Sequence, residues 1–328
     1  MQVVRSHEVG FYKLWNSLLN AGVGLNALYG NANLAYYKEY CNSIEDEDIS
    51  FLIVNKNIPI CGIRAISSKF DTGGRGISCF GLPLLYEEDQ TIEKASLLSA
   101  RRILRNEFRG ILSKMPEGAF VYYRDLLHGG ALSPIGRLLL DCGGVGASSF
   151  SQVINLSQHE NQIHRELTKA YKWGVNWGIK NLVLEVLDGD SITPSHISQF
   201  KALHLEAAGR ATRTSESWDL QHAMVASGEA FCVFAWMDEV LVSAALFPHS
   251  SSHCVYGVSA SKRDLFDKPI SHSVIWTALL HAKKSGMLYF EMGNIIFPAG
   301  MHPTSLQKEL GISFFKRAFG GETRASIE

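Results

Sequence analysis

The sequence predicts an α/β protein with mixed sheets, in which one structural module occurs twice. The first copy begins with an apolar strand at 51–54, and the second begins with a similar strand at 231–234. Each copy continues as tight turn, strand, loop, strand, helix and strand, with turns at Asn55-Lys56-Asn57 and Met237-Asp238-Glu239. One order of elements that recurs after about 180 residues is typical of internal duplication. We expect a cleft between the two halves, and we expect the chemistry to lie there.

Length and composition limit the classes of protein that this chain can represent. Its 328 residues are enough for two domains, which we place at 1–150 and 151–328. The hydrophobic share of 46% and the charged share of 19% are typical of globular proteins. A formal net charge of −1 provides no global basic field for DNA. No apolar run reaches the ~18 residues of a membrane span, and six scattered cysteines without a CxxC pair predict a cytoplasmic protein.

In the first half, the spacing of apolar residues predicts helices over about 8–20 and 33–42, followed by the first copy of the module. This copy ends with a helix over about 90–115 and a strand at 119–124. Residues 129–146 are rich in glycine, so we expect irregular structure there.

The second half opens with a strand at 151–156 and a helical pattern over 158–181. Ser157, with Glu160 three residues later, has the spacing of a capping box. A strand follows at 182–187. The remaining elements are helices at about 194–208, 216–227 and 271–285 and a strand at 288–292, and Ser215 or Ser217 is placed to cap the second of these helices.

This order of elements suits the GNAT class of acyltransferases, which usually hold a pyrophosphate on a Gln/Arg-x-x-Gly-x-Gly/Ala loop before a helix. The matching stretch, 262–271, contains no glycine. Further stretches are Leu156-Ser-Gln-His-Glu, Ile163-His-Arg-Glu-Leu-Thr-Lys-Ala-Tyr, Tyr256-Gly-Val-Ser-Ala, the helix from Ser271 to Gly286, Phe290-Glu-Met-Gly-Asn, and Phe314-Phe-Lys-Arg-Ala-Phe-Gly-Gly-Glu. In these stretches the chain resembles the FemAB-type aminoacyl- and acyltransferases, which are tandem GNAT-like proteins without the glycine loop. The first half matches chiefly at Phe80-Gly-Leu-Pro-Leu.

The resemblance implies an enzyme that transfers an amino acid or acyl group onto an amine and forms an amide, often in building peptidoglycan or a surface glycan. The acceptor would be a nucleotide- or lipid-linked sugar or peptide. Family members that act on peptidoglycan take the aminoacyl group from a charged tRNA, yet the long helical arm that some of them insert for tRNA is absent here. The donor is therefore open between an aminoacyl-tRNA and an acyl thioester, and we expect no tightly bound cofactor.

Three residues of the second half are candidates for catalysis. The resemblance places Phe315 and Lys316 in the reaction channel, where an ammonium group stabilises the oxyanion of a tetrahedral intermediate. The alternative is a C-terminal strand whose lysine faces water. Glu291 closes a predicted central strand and is a candidate general base for the amine. Strand alternation equally permits a carboxylate that faces solvent or a helix.

Four further residues are candidates for substrate binding. Tyr256 lies on the strand that would meet the acyl arm, and His272 lies in the first turn of a helix, whose N-terminus favours a neutral imidazole. Lys38 lies roughly where family members bind the phosphates of the acceptor. Arg105 is the centre of an arginine stripe at i, i+4 and i+8, which suits the phosphates of a nucleotide-linked acceptor or of RNA. The alternatives are packing or capping for the aromatic residues and a solvated helix face for the arginines.

Other sites and functions compete with this interpretation. No HExxH or spaced Cys/His set predicts a metal, and no GxSxG predicts a serine hydrolase. His249, His253 and Cys254 lie near one strand start without a fourth ligand, so we interpret them as surface and core residues. Two rival functions stay open. One is a GNAT N-acyltransferase that uses acyl-CoA or an acyl-carrier protein to acylate an amino sugar or amino acid, and the other is a binding protein that keeps the fold without turnover.

Overall fold

The computed structural model of the chain describes residues 1–22, 26–41, 43–71, 73–127, 130–297 and 307–328. The chain divides into two compact units. Unit 1 consists of Met1–Gly24, Tyr37–Ser149 and Ala325–Glu328, and unit 2 consists of Leu25–Tyr36 and Phe150–Arg324. Unit 2 therefore includes a short segment that precedes the first copy of the module in the sequence.

The elements of the described residues are numbered in chain order. The α-helices are α1 (Phe11–Ala21), α2 (Asn31–Cys41), α3 (Lys94–Leu112), α4 (Pro134–Asp141), α5 (Glu160–Glu166), α6 (Lys169–Asn181), α7 (Pro194–Ala208), α8 (Ser215–Ala226), α9 (His272–Lys284) and α10 (Gln307–Arg317). The strands are β1 (Gln2–Arg5), β2 (Glu45–Asp48), β3 (Phe51–Asn55), β4 (Ile58–Arg64), β5 (Ile66–Lys69), β6 (Arg75–Ser78), β7 (Leu85–Glu88), β8 (Phe120–Val121), β9 (Asp125–Leu126), β10 (Ser148–Asn155), β11 (Val183–Asp188), β12 (Ala230–Met237), β13 (Val240–Pro248), β14 (His253–Val255), β15 (Ser259–Ser261), β16 (Tyr289–Ile295) and β17 (Glu322–Ile327). Short 3₁₀ turns lie at Ala27–Tyr29, Gly189–Ser191 and Arg263–Leu265.

Unit 1 is built on two four-stranded sheets, with the strand orders β1-β3-β4-β7 and β2-β5-β6-β8. The helix α1 packs Phe11 and Trp15 against one face of the first sheet. The helix α3 packs Leu104 and Phe108, one helical turn apart, against the opposite face. Both faces of β3 are therefore buried, which explains its continuous apolar sequence.

Unit 2 contains a sheet with the order β11-β12-β13-β15 and the strands β14-β16-β10-β17 of a second sheet. The last residues of β17 pair with β9 within unit 1. Phe231 and Val233 of β12 belong to a core that α6 and α9 also line. Phe234 points to the other face of β12, where Phe200 of α7 contacts both Phe234 and Trp218 of α8. Helices thus cover both faces of the first sheet, as in other layered α/β proteins.

Each unit contains a hairpin, and the two hairpins have the same turn and the same bulge. Lys56 and Asn57 join β3 to β4 with φ angles of 49° and 65°, and Asp238 and Glu239 join β12 to β13 with φ angles of 50° and 63°. Positive φ at both central residues defines the type I′ turn. In each hairpin a bulge lies between the second and third residue pairs from the turn. The same turn and the same bulge in both units agree with the duplication that the sequence predicts.

The prediction of one helix over 158–181 is wrong, because this stretch forms two separate helices, α5 and α6. The backbone is extended at Leu167 and Thr168, and the Thr168 N–H donates to the Ala318 carbonyl at 3.1 Å. The predicted capping box is also wrong. The Nδ1 atom of His159 accepts the N–H of the second helical residue, whereas Ser157 Oγ donates to Asn155 Oδ1 at 2.7 Å.

Four smaller predictions also differ from the structure. The stretch 129–146, expected to be irregular, contains the helix α4, which Ser133 caps. The cap of α8 is Thr214, whose Oγ1 accepts from the Ser217 N–H at 3.1 Å. The strand predicted at 119–124 is reduced to the two-residue strand β8 and a single bridge from Tyr123 to Leu84. The alternative of a C-terminal strand around Lys316 is wrong, because Lys316 lies in the last turn of α10. None of the helices in the described ranges is both long enough and apolar enough to cross a membrane.

Candidate active site where two parallel strands separate

The parallel strands β14 and β16 of unit 2 separate at one point. The Tyr256 N–H, just beyond β14, donates to the Glu291 carbonyl of β16 at 2.8 Å. The next residue belongs to the other sheet, because the Gly257 N–H donates to the Leu246 carbonyl at 3.1 Å and β15 continues against β13. A Cβ atom at Gly257 would lie 2.9 Å from Pro248 Cδ, so this crossing requires glycine. Glu291 therefore lies where β16 loses its parallel neighbour.

The strand β16 has a bulge directly after Glu291. In its pairing with β10, Glu291 lies opposite Val153 and Gly293 lies opposite Gln152, so Met292 is the extra residue. Gly293 has a φ angle of 86°, a left-handed conformation that glycine adopts without strain. A Cβ atom at Gly293 would lie 3.2 Å from the Nζ atom of the lysine that contacts this bulge. The bulge thus allows an ammonium group to come close to the strand backbone.

That lysine is Lys316, which extends from α10. Its Nζ atom donates to the Asn294 carbonyl at 2.8 Å. Burial lowers the pKa of Lys316, and the negative charge of Glu291 partly opposes this shift. The structure therefore brings together two of the predicted catalytic residues, Lys316 and Glu291, although their roles stay predictions.

Glu291 also contacts a histidine that the sequence analysis assigned to the surface or the core. The His253 Nε2 atom lies 3.2 Å from Glu291 Oε2, and the two side chains are 1% and 10% exposed. The Nδ1 atom of His253 accepts from the Ala27 N–H at 3.0 Å. The Nε2 atom is not aligned with the carboxylate as a hydrogen bond. Proximity therefore defines this pair.

Phe315 and His272 belong to an aromatic cluster of unit 2. The ring centroid of His272 lies 4.4 Å from that of Tyr171 and 5.8 Å from that of Phe315, and Phe315 lies 5.4 Å from Phe319. Burial lowers the pKa of His272, which keeps the imidazole neutral near pH 7. The sequence predicts the same state from the helix N-terminus, but the largest cause is burial. His272 Nδ1 has no hydrogen-bond partner in the described part of the chain.

Tyr256 has its hydroxyl engaged within its own loop. The hydroxyl donates to Ser259 Oγ at 2.7 Å, and the ring stacks on Phe247 at a centroid distance of 5.9 Å. Burial raises the pKa of Tyr256. These contacts fix the ring at the point of strand separation, and contact with a substrate stays a prediction.

The remaining predicted binding residues, Lys38 and Arg105, belong to unit 1. Lys38 is exposed on α2. Arg105 Nη2 lies 3.6 Å from Asp141 Oδ2. Arg101 of the same stripe donates to both carboxylate oxygens of Glu88, at 2.8 and 2.5 Å. Two arginines of the stripe therefore have carboxylate partners within unit 1, and phosphate binding by Arg105 stays a prediction.

Arg213 is a further candidate that sequence reasoning missed. Its Nε atom donates to the Tyr36 hydroxyl at 3.0 Å, its Nη1 atom lies 2.9 Å from His204 Nε2, and its guanidinium lies 5.9 Å from the centre of the Trp218 ring. Burial, and then the charge of Arg213, lower the pKa of His204, so a neutral imidazole accepts this bond. No carboxylate contacts Arg213 among the described residues. Arg213 lies in the segment that joins α7 to α8, and no local sequence pattern marks it as functional.

No protein-family model and no curated protein sequence matches this chain. Several solved structures have the same fold. FemX superposes with a TM-score of 0.70 at 10% identity, over 100% of this chain and 97% of FemX. The chain has a FemAB-type tandem GNAT-like fold. L-PGS from Bacillus licheniformis gives a TM-score of 0.57 at 10% identity, over 100% of this chain and 92% of L-PGS.

A tandem GNAT protein from the clavulanic acid biosynthesis pathway gives a TM-score of 0.50 at 10% identity, over 99% of this chain and 97% of that protein. The predicted fold class, with tandem GNAT-like modules, is therefore confirmed. At this level of identity the similarity establishes the fold, and the activity has to be argued from the residues of the site.

Proposed function

We propose that this chain is an acyltransferase that moves an aminoacyl or acyl group onto an amine and forms an amide. The observation that carries the proposal is that the Lys316 Nζ atom binds the Asn294 carbonyl at the bulge directly after Glu291, where β14 and β16 separate. A carboxylate is suited to take the proton of an attacking amine, and an ammonium group is suited to stabilise an oxyanion. Acyl transfer to an amine needs both tasks in one place.

In the proposed reaction, the amine nitrogen attacks the acyl carbon and the C=O electron pair moves onto oxygen. The ammonium of Lys316 has three N–H donors, of which one binds the Asn294 carbonyl, so two are left for the oxyanion. When the intermediate collapses, the bond from the acyl carbon to the donor oxygen or sulfur breaks. The proton that the amine loses passes to Glu291 and then to the leaving group.

For the donor, we propose an aminoacyl ester of tRNA in preference to a coenzyme A thioester. GNAT proteins present free backbone amides to a pyrophosphate in the loop before the helix that corresponds to α9. In this chain the Lys268 N–H donates to the Leu265 carbonyl and the Ile270 N–H donates to the Lys268 carbonyl, both at 2.9 Å. Pro269 has no N–H. Amides that are already bonded within the loop are poor ligands for a diphosphate.

For the acceptor, we propose an amine on a nucleotide- or lipid-linked precursor of the cell wall or of a surface glycan. The support is Arg213, whose guanidinium is held by a hydroxyl, an imidazole and an aromatic ring. A guanidinium positioned without a carboxylate is suited to bind phosphate. The fold shared with FemX and L-PGS agrees with an acceptor of this kind.

A transfer assay with the purified protein tests the proposal. Charged tRNAs and acyl-CoA thioesters are offered separately as donors to a nucleotide-linked muropeptide and to an amine on a phospholipid. We expect an amide product with a charged tRNA. Amide formation with acyl-CoA alone would refute the proposed donor. A bound acceptor without turnover from any donor would favour the binding protein.

The variant Lys316→Ala is expected to lower kcat/KM by about 100-fold, the usual cost of losing one oxyanion donor. Its control is Lys308→Ala, because Lys308 is an exposed lysine in the first turn of the same helix. Equal effects of the two lysine variants would contradict the assigned role of Lys316.

Arg213→Ala is expected to raise KM for a phosphate-bearing acceptor, and the exposed Arg210 provides the matched control.

A further inference from the structure

We propose that His253 is a positioning residue that directs an N–H at the Glu291 carboxylate, and that the backbone of Ala27 sets this direction. The inference rests on the proposed function, because it assumes that Glu291 takes a proton from the amine. His253 lies on β14, and Glu291 lies on the adjacent strand β16. Ala27 belongs to the segment of unit 2 that comes from before the first module.

The contact with Ala27 determines which nitrogen of His253 carries the proton. A backbone N–H donates only to a ring nitrogen without hydrogen, so the 3.0 Å contact requires an unprotonated Nδ1. A neutral imidazole with a bare Nδ1 carries its proton on Nε2. That nitrogen lies 3.2 Å from Glu291 Oε2. The second ring nitrogen therefore carries its hydrogen close to the carboxylate.

A neutral imidazole changes the basicity of the Glu291 carboxylate in a different way from a cation. It favours the ionised carboxylate through one hydrogen bond, but it does not cancel the negative charge that attracts a proton. The Nε2–H bond is not aligned in the present geometry. Hydrogen bonds in catalytic sites are often poorly aligned before the substrate binds, and a small rotation of the imidazole corrects the alignment. His253 thus keeps Glu291 ionised and oriented, yet reactive.

Other titratable groups lie on the elements around this pair. They are Lys308, Glu309, Lys316 and Arg317 on α10, Tyr289 on β16 opposite His253, Cys254 on β14, His249 bridged to Cys254, Tyr256 directly after β14, and Tyr29 on the 3₁₀ turn that packs against β14. Lys316 is a cation whose charge acts on Glu291. Cys254 packs in the core, and Arg317 lies over the Phe297 ring at 5.2 Å. The variants below leave all of these groups unchanged.

Two substitutions at His253 separate the two bonds of the ring. In His253→Asn, the amide oxygen takes the place of Nδ1, so the Ala27 N–H keeps its acceptor while Glu291 loses the N–H of His253. In His253→Gln, the amide nitrogen takes the place of Nε2, so Glu291 keeps a donor while Ala27 loses its acceptor. The two variants therefore distinguish support of the carboxylate from anchoring of the Ala27 segment.

The readouts are kcat/KM across pH and thermal stability. We expect His253→Asn to lower kcat/KM by about 10-fold, corresponding to about 1.4 kcal/mol, and to move the acidic limb of the pH–rate profile to higher pH. The limb moves because a carboxylate that has lost a donor is protonated more easily. His253→Gln is expected to keep the wild-type profile. The reverse pattern, with His253→Asn unchanged and His253→Gln impaired, would overturn the proposal.

A second measurement does not depend on activity. In ¹⁵N NMR spectra of the histidine rings, we expect His253 to show a bare Nδ1 and a protonated Nε2, and we expect the Nε2 signal to shift in Glu291→Gln. A proton on Nδ1, or no response to Glu291→Gln, would refute the inference even in an active enzyme. If the wild-type protein transfers no acyl group, the proposed function fails, and the NMR result still decides whether His253 serves Glu291.

Discussion

Each unit has a largely buried carboxylate on one of its strands, 15% exposed for Glu88 and 10% for Glu291, but only Glu88 is bonded to a guanidinium. In unit 1, Glu88 accepts two bonds from Arg101, at 2.8 and 2.5 Å, and a third from the Tyr86 hydroxyl. In unit 2, Glu291 faces the imidazole of His253 and interacts with Lys316, whose pKa is lowered by burial. A guanidinium stays protonated at any pH that the fold withstands.

The charge of Glu88 is therefore compensated permanently, whereas burial makes the charge of Lys316 near Glu291 easier to lose. Both units have the same hairpin, but the two carboxylates lie on different kinds of strand. Glu88 lies on β7, which pairs antiparallel with β4, whereas Glu291 lies directly before the bulge of β16, which pairs parallel with β14. The bonds of Glu88 to Arg101 thus suit a structural role, and the contrast agrees with the catalytic role that we propose for Glu291.

Paired amide substitutions give the largest expected effect. Glu291→Gln should lower kcat/KM by about 100-fold with little change in stability, because general-base catalysis typically contributes 10²–10⁴-fold. Glu88→Gln should leave the rate unchanged and lower the free energy of unfolding by about 2 kcal/mol, because Arg101 loses its counter-charge. This value lies below the cost for a fully buried pair, since 32% of the Arg101 side chain is exposed.

The measurements are steady-state transfer rates and denaturant unfolding of both variants. If Glu88→Gln slowed transfer as much as Glu291→Gln at unchanged stability, the division of tasks between the units would be wrong.

The next largest effect concerns pH. Burial lowers the pKa of Lys316. The pKa of Arg101, in contrast, is raised by the bond between Arg101 and Glu88. The rate should therefore fall on the alkaline side at a pH below ~10.4, the ordinary lysine value, by about a factor of 10 for each further pH unit. Lys316→Arg should restore the rate there, because a guanidinium stays charged. An alkaline limb that does not move in this variant would assign the titration to another group.

The lowered pKa of Lys316 also makes the free energy of unfolding depend on pH. Between the lowered pKa of Lys316 in the folded protein and the ordinary value in the unfolded chain, only the unfolded chain holds the proton. The free energy of unfolding should therefore rise with pH across this interval. Lys316→Arg should remove that rise, and unfolding curves at several pH values measure it.

Features that depend on neighbours in the sequence were predicted well. The turns at Asp238 and Lys56, the helix α7 and the tandem arrangement follow from apolar period and turn residues. Glu291 and Lys316 were also singled out, the first from its place at the end of a strand and the second from the family resemblance. Their proximity in the structure adds the geometry that the sequence could not provide.

Features that depend on distant residues were missed. The proton position on His253 is set by Ala27, which lies 226 residues away in the sequence. The break between α5 and α6 is stabilised by a bond from Thr168 to the Ala318 carbonyl. No local pattern marks either contact. For Arg101, the sequence predicts a stripe on the helix surface, and its bonds to Glu88 appear only when β7 and α3 are packed together.

The smallest expected effect concerns the hairpin that the units share. Glu239 and Asn57 occupy the same exposed position of the two type I′ turns, with φ angles of 63° and 65°. A positive φ costs a residue with an ordinary side chain about 1 kcal/mol, whereas asparagine tolerates it better. Glycine removes this cost but adds freedom to the unfolded chain. Glu239→Gly should therefore stabilise the protein by about 0.5 kcal/mol, and Asn57→Gly should change the stability by less than that.

Thermal and denaturant unfolding measure the difference between these two variants. Glu239→Ala is the control, because it removes the carboxylate but keeps the Cβ atom and its strain, so no gain is expected. A gain in Glu239→Ala equal to that in Glu239→Gly would assign the effect to charge instead of backbone conformation. If Asn57→Gly stabilised as much as Glu239→Gly, asparagine would bear the same strain as glutamate at this position. The two hairpins would then be equivalent in energy as well as in geometry, and the difference between the units would lie in the strands and side chains around Glu88 and Glu291.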